Sequence, residues 1–220
     1  MFIKICGITS KEDALLATAL GANALGFIFA TSPRQVYQED VVLTIKSLPP
    51  EIITIGVFRN ELPERVCKIA NTLGLSGVQL HGNESPQQTR YIKQRVALVI
   101  KAFVAGQPEV SDFDEYGADL LLLDSPSPGS GKVFDWSLTQ GVKDLSRLIV
   151  SGGLTPDNVE AAIKKIKPFG VDVASSVESS PGKKDPEKLR KFIVNAQKAF
   201  SEIKEDPQNL AIYDWMSDGL

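Results

Sequence analysis

Apolar residues along this chain fall into short runs that recur at roughly even spacing, separated by longer amphipathic stretches. The first run, Phe2-Ile3-Lys4-Ile5-Cys6, begins beside the N-terminus and stops at Gly7. Further runs span residues 23–29, 52–58, 77–80, 97–103, 119–124, 148–151 and 171–175. Their length, β-branched content and flanking turn residues predict strands. Between them the pattern predicts helices. One covers residues 12–20 and ends at Gly21, a natural C′ residue; another covers about 63–73 and stops at Gly74. A third opens at Ser85-Pro86, a cap followed by proline at the first helical position, where the missing N–H is harmless. The remaining helices cover about 109–116, open at Thr155-Pro156-Asp157, and run from Asp185-Pro186-Glu187 to about Ile203. Ser10 is placed to cap the first helix, with Asp13 placed to reach back to it. No helix bounds are assigned between the second and third strands.

Strands that are apolar throughout are buried on both faces, as in all-parallel sheets. Eight strand–helix units in 220 residues predict an α/β fold, a compact single-domain (β/α)8 TIM barrel. The competing architecture, an open doubly wound sheet, lacks support because no dinucleotide-type glycine fingerprint follows the first strand. The barrel is assigned to residues 1–203. Residues 204–220, including Trp215, read as a C-terminal tail or docking segment.

Composition narrows the function classes. The chain is 43% hydrophobic and 23% charged, with a formal net charge of -3. No basic run suggests nucleic acid, no apolar run approaches the roughly 20 residues of a membrane helix, and no signal peptide precedes the first strand. A cytoplasmic location is expected. The two cysteines, Cys6 and Cys67, have no metal-type spacing and suit a reducing compartment. His81 is the single histidine, so a metal site built on several histidines, or a relay that uses a second one, is excluded. A metal-dependent epimerase on this scaffold is disfavoured on that ground.

In a (β/α)8 barrel chemistry sits at the C-terminal ends of the strands. That rule selects Cys6 at the end of the first strand, His81 after the fourth, Asp124 at the end of the sixth and Asp172 within the eighth; Arg34 lies in the loop after the second. Cys6 and Asp124 lie on nearly opposite strands and could flank a small substrate, one taking a proton and the other giving one. The thiol, with an ordinary pKa of about 8.5, would need a cationic neighbour to act as a base. Lys4 shares its side of the alternation, either to keep the thiol reactive or to form an ion pair inside the barrel. Gly152-Gly153 after the seventh strand and Ser175-Ser176 after the eighth lie where such barrels often hold a phosphate on backbone N–H groups. Arg34 suits a second anion, since its fork matches a carboxylate. His81 either orients a substrate or packs beside Gln79.

These residues fall within a wider pattern: Lys4-Ile5-Cys6-Gly7-Ile8, Gly26-Phe27-Ile28-Phe29 with Ser32-Pro33-Arg34, Gly56-Val57-Phe58, Val78-Gln79-Leu80-His81-Gly82, Phe134-Asp135-Trp136, Ser151-Gly152-Gly153-Leu154 and Val171-Asp172-Val173. The pattern resembles the phosphoribosylanthranilate isomerase family, motif by motif and in order from Phe2 to about Phe200. The resemblance implies an isomerase of tryptophan biosynthesis, acting by an Amadori rearrangement without metal or cofactor. It implies a phosphosugar–anthranilate substrate and a monomer or homodimer. By the same resemblance Cys6 is the general base, Asp124 the general acid and Arg34 the partner of the anthranilate carboxylate, with the phosphate held after strands seven and eight. Two departures stand out. Ala174-Ser175-Ser176-Val177-Glu178 replaces the usual Ser-Ser-Gly-Val-Glu, so Ser176 is strained if that position takes a positive φ, or else narrows the approach to the phosphate. Pro128-Gly129-Ser130-Gly131 replaces Gly-Gly-Thr-Gly. Competing readings are another sugar-phosphate isomerase or epimerase, and a catalytically silent barrel that keeps a phosphate site.

Overall fold

The computed structural model describes residues 1–124 and 142–204. Eight parallel strands close into one barrel in chain order: β1 (Phe2–Cys6), β2 (Ala24–Ile28), β3 (Ile53–Phe58), β4 (Gly77–Leu80), β5 (Leu98–Val104), β6 (Leu120–Asp124), β7 (Leu148–Val150) and β8 (Gly170–Val173). Around it lie α1 (Lys11–Ala19), α2 (Gln38–Lys46), α3 (Pro63–Leu73), α4 (Pro86–Lys93), the single turn α5 (Phe113–Tyr116), α6 (Val159–Ile166) and α7 (Pro186–Lys204). The (β/α)8 expectation holds. The loop from 125 to 132, the Phe134-Asp135-Trp136 motif and the tail beyond Lys204 lie outside the described residues.

Alternation along each strand divides the core in two. Phe2, Cys6, Ala24, Ile55, Ile100 and Leu122 point inward with their neighbours and fill the barrel. Ile3, Ile5, Leu25, Phe27, Val99 and Leu121 point outward and pack under the helices. The same alternation aims Lys4 and Asp172 inward, and the β1–β8 register sets them side by side.

Differences from the sequence reading have local causes. The residue before α2, Tyr37, makes no side-chain cap hydrogen bond, and the helix leaves Leu43 exposed, so neither a start signal nor a clean apolar stripe marks it. Ser10 does accept from the Asp13 N–H, but the Asp13 carboxylate does not reach back; it accepts from the Lys184 N–H instead. Thr155 opens a turn rather than the helix, its hydroxyl accepting from the Asp157 and Asn158 N–H groups before α6 begins. The 109–116 helix is a 3-10 stretch, Pro108–Asp112, running into α5. Strand β8 ends at Val173 and Ser175 opens a 3-10 turn, Ser175–Val177. What reads as a loop after it contains a small antiparallel hairpin, β9 (Glu178–Ser180) and β10 (Lys183–Lys184).

One buried ion pair fixes the β4 exit. Lys101 on β5 donates to Glu84 Oε2 at 2.9 Å and to the Gly82 carbonyl at 2.7 Å. Glu84 in turn accepts from the Asn60 and Gly82 N–H groups. Burial disfavours its charge, but Lys101 and these donors outweigh burial and hold the carboxyl below the usual range. The pair's stabilisation is therefore present above the unfolded carboxyl's pKa and is lost as pH falls through the folded value. Lys101→Met, which leaves Glu84 buried and unpaired, should cost about 3–5 kcal/mol at pH 7 by chemical denaturation. The gap from the parent should narrow on acidification, as Glu84 takes up a proton in the variant first; a pH-independent gap would contradict this reading.

Candidate active site

At the C-terminal ends of the strands a cavity of about 210 Å³ opens, and a second of about 600 Å³ adjoins it through His81 and Asp124. Nine of the residues singled out in the sequence line the first: Cys6, Arg34, His81, Asp124, Gly152, Gly153, Asp172, Ser175 and Ser176. Its floor is charged. Lys4 is fully buried within the barrel, with its ammonium 2.8 Å from Asp172 Oδ1. Burial disfavours that charge, yet Asp172 and Cys6 outweigh it and hold the lysine above its ordinary pKa. Ser151 Oγ donates to the other Asp172 oxygen at 3.3 Å. Asp172, selected by the strand-end rule, has its carboxylate held by Lys4 and Ser151, because β1 and β8 run side by side there.

Cys6 sits directly above. Glycine at position 26 makes its room: a Cβ there would come within 2.8 Å of the thiol sulfur and 3.2 Å of the Lys4 nitrogen. Burial pushes the Cys6 thiol up, while the charges of Lys4 and Lys184 pull it down and that of Asp172 pushes it up again. Burial wins. The resting group is a thiol, and the Lys4 ammonium beside it limits the cost of ionising it.

Across the cavity, His81 bridges two side chains. Its Nδ1 lies 2.7 Å from the Gln79 amide nitrogen and its Nε2 lies 3.3 Å from Asp124 Oδ2. With the amide donating to Nδ1, the ring proton sits on Nε2 and faces the Asp124 carboxylate. In this orientation the buried Gln79 Oε1 has no partner. Turning the amide over would give Nδ1 the proton and leave Nε2 to accept from a protonated Asp124.

The far wall is a loop cradle. Gly152 and Gly153 take φ values of 72° and 71°, which side-chain-bearing residues rarely adopt. Beside them the Ser175–Val177 turn presents its first N–H groups, which a 3-10 turn leaves without internal acceptors. Ser176 is not among the positive-φ residues, so the departure from glycine brings no backbone strain. Its hydroxyl is turned onto the Leu154 carbonyl.

Arg34 closes the cavity from the β2 loop. Its stem passes over Gly7, where a Cβ would lie 2.6 Å from Arg34 Cδ. Its guanidinium donates to Glu178 through both Nε and Nη2, the latter at 2.7 Å. Glu178 and Lys184 were not singled out in the sequence. Both sit in the unforeseen hairpin, and only the Val177-Glu178 pair, within the quoted motif, gave any sign of them.

A thiol, a carboxyl, an arginine and two glycine- and serine-bearing loops that line one cavity at the mouth of a (β/α)8 barrel place the site where barrel enzymes keep their chemistry. Among the described residues no group of histidine, cysteine and carboxylate side chains is placed to hold a metal ion, and no helix is long and apolar enough to cross a membrane. The N-(5'-phosphoribosyl)anthranilate (PRA) isomerase family model matches residues 3–195. The N-(5'-phosphoribosyl)anthranilate isomerase of Pelobacter propionicus is 45% identical over 205 residues, covering 91% of this chain and 97% of that relative. The crystal structure of the Thermotoga maritima phosphoribosyl anthranilate isomerase superimposes with a TM-score of 0.82 at 41% identity, covering 90% of this chain and 99% of that one. A structure of such an isomerase in complex with reduced 1-(o-carboxyphenylamino)-1-deoxyribulose 5-phosphate gives 0.80 at 40% identity, covering 90% and 99% of the two chains. The chain belongs to the phosphoribosylanthranilate isomerase family.

The thiol makes a direct prediction. In a Cys67→Ala background, iodoacetamide should alkylate Cys6 with a rate that rises with pH and a midpoint above the ordinary cysteine value of about 8.5. Mass spectrometry of the modified peptide reads it. A midpoint below that value would mean that Lys4 outweighs burial.

Proposed function

We propose that this enzyme converts N-(5'-phosphoribosyl)anthranilate to 1-(o-carboxyphenylamino)-1-deoxyribulose 5-phosphate, as a cytoplasmic step of tryptophan biosynthesis, with Cys6 as base and Asp124 as acid. The observation that carries the reading is the placement of Cys6, Asp124, Arg34 and the Gly152–Ser176 loops on one cavity. The substrate has the matching shape, with a carboxylate on its aromatic ring and a phosphate at the far end of the sugar.

In the mechanism this supports, protonated Asp124 gives its proton to the furanose ring oxygen as the C1′–O bond breaks. The anthranilate nitrogen supplies the electron pair for the resulting C1′=N double bond, a cationic Schiff base. The Cys6 thiolate then takes the C2′ proton, and the C–H electrons form C1′=C2′ as the nitrogen regains its pair. The enolic hydroxyl at C2′ becomes the ketone when C1′ is protonated. His81 tracks the acid: either ring tautomer can face the Asp124 carboxyl in the protonation state that suits it, with the Gln79 amide following. Lys4 stabilises the thiolate once the resting thiol has given up its proton and before it takes the one from C2′, and Asp172 keeps that lysine charged and in place. Gly152, Gly153, Ser175 and Ser176 hold the phosphate with backbone N–H groups.

The test uses phosphoribosylanthranilate generated enzymatically in the cuvette. Purified protein should consume this fluorescent compound, and failure to do so removes the assignment. Cys6→Ser and Asp124→Asn should each lower kcat by about 10²–10⁴-fold while a reduced product analogue still binds. Near-parental turnover in either variant would take that residue out of its role. Arg34→Ala should act mainly on KM; unchanged kinetics would detach it from the carboxylate.

A further inference from the structure

The arginine that faces the cavity does not stand free. Glu178, almost wholly buried, takes both the Nε–H and one Nη2–H of Arg34, at 2.8 and 2.7 Å. A guanidinium has five N–H donors in one plane, so this grip leaves the Nη1/Nη2 edge of the fork for a ligand. Glu178 is itself seated on a second cation. The fully buried Lys184 donates to Glu178 Oε1 at 2.9 Å, to the Cys6 carbonyl at 2.7 Å and to the Ala174 carbonyl at 3.2 Å. Its own backbone N–H is held by Asp13 of α1. Lys188 on α7 fixes the Glu178 carbonyl at 2.9 Å.

One carboxylate therefore serves two cations, and the cluster carries one positive charge that a ligand carboxylate would balance. The same cluster joins three parts of the site: the β2 loop through Arg34, the end of β1 through the Cys6 carbonyl, and the cradle through the Ala174 carbonyl. An unrestrained arginine loses rotamer entropy when it is immobilised. Here Glu178 already holds the side chain.

We propose that Glu178, seated on Lys184, is the positioning residue that fixes the Arg34 fork and thereby sets the preference of the site for ligands bearing an aromatic carboxylate. This deepens the proposed function and rests on its assignment of Arg34 to that carboxylate. Glu178 touches neither the reacting carbons nor the phosphate; it acts through the arginine.

Two ligands separate this role from a merely structural one: the reduced product analogue, and the same compound lacking the ring carboxylate. Calorimetry should give the parent a strong preference for the carboxylate-bearing ligand, on the order of 10–100-fold for a charge-assisted bidentate pair. Glu178→Asp keeps a negative charge for Lys184 but withdraws it from the arginine, and Glu178→Gln removes the charge. Each should shrink the preference about tenfold by weakening the carboxylate-bearing ligand, leaving the carboxylate-free one within about threefold. In turnover, KM should rise with kcat little changed. Should Glu178→Gln not fold, Glu178→Asp carries the test.

An undiminished preference in a folded Glu178 variant overturns the proposal. So does an equal loss of both ligands, which would mark Glu178 as a structural residue. Arg34→Ala is the control that separates the two readings. If it abolishes the preference while Glu178→Asp does not, the carboxylate assignment stands and only the positioning role falls. If Arg34→Ala leaves the preference intact, the assignment of Arg34 falls and the positioning role with it.

Discussion

A lysine ammonium buried inside the barrel, directly beneath a thiol, is the constraint from which the rest of this site follows. An isolated buried charge costs several kcal/mol, so Lys4 requires the Asp172 carboxylate at 2.8 Å, and the β1–β8 register supplies it. With that pair in place, the interior above it is polar where the interior below is packed with Phe2, Ile100 and their neighbours. Cys6 stands at the boundary. Burial raises its pKa and the ammonium limits the rise, which keeps the group a thiol at rest and the thiolate within reach.

Two more buried ion pairs repeat the device around the rim. Lys101 and Glu84 tie the turn after β4 to β5, and so hold the strand that presents His81 to Asp124. Lys184 and Glu178 tie the hairpin after the cradle to the end of β1 and to Arg34. Such pairs are weak evidence of stabilisation, since well-packed apolar residues often do as well. Two of the three cations also tie backbone carbonyls at a strand end or in the loop after it, Lys101 those of Leu80 and Gly82 and Lys184 those of Cys6 and Ala174, where loops need fixed backbones to place chemistry.

The barrel was legible because strands buried on both faces and helices with caps leave strong local patterns, as at residues 63–73 and at Ser85-Pro86. The strand-end rule then brought nine of the chosen residues to one cavity. What stayed illegible depends on contacts distant in sequence. Nothing near Asp172 tells whether its carboxylate meets substrate or Lys4, which is 168 positions away. Nothing in the Pro181-Gly182-Lys183-Lys184 stretch shows that Lys184 turns inward while Lys183 stays exposed. The α2 helix escaped because its start has no cap and its stripe is broken by an exposed leucine.

The central claim is that one cavity binds a doubly anionic substrate in a single direction between Arg34 and the Gly152–Ser176 cradle, with Cys6 and Asp124 between them. A crystal structure of this protein with the reduced product analogue tests it most directly. The account predicts the ring carboxylate on the Nη1/Nη2 edge of Arg34 and the phosphate on the N–H groups of the cradle, with Cys6 Sγ against C2′. A ligand bound the other way round, with its phosphate on Arg34, would contradict it.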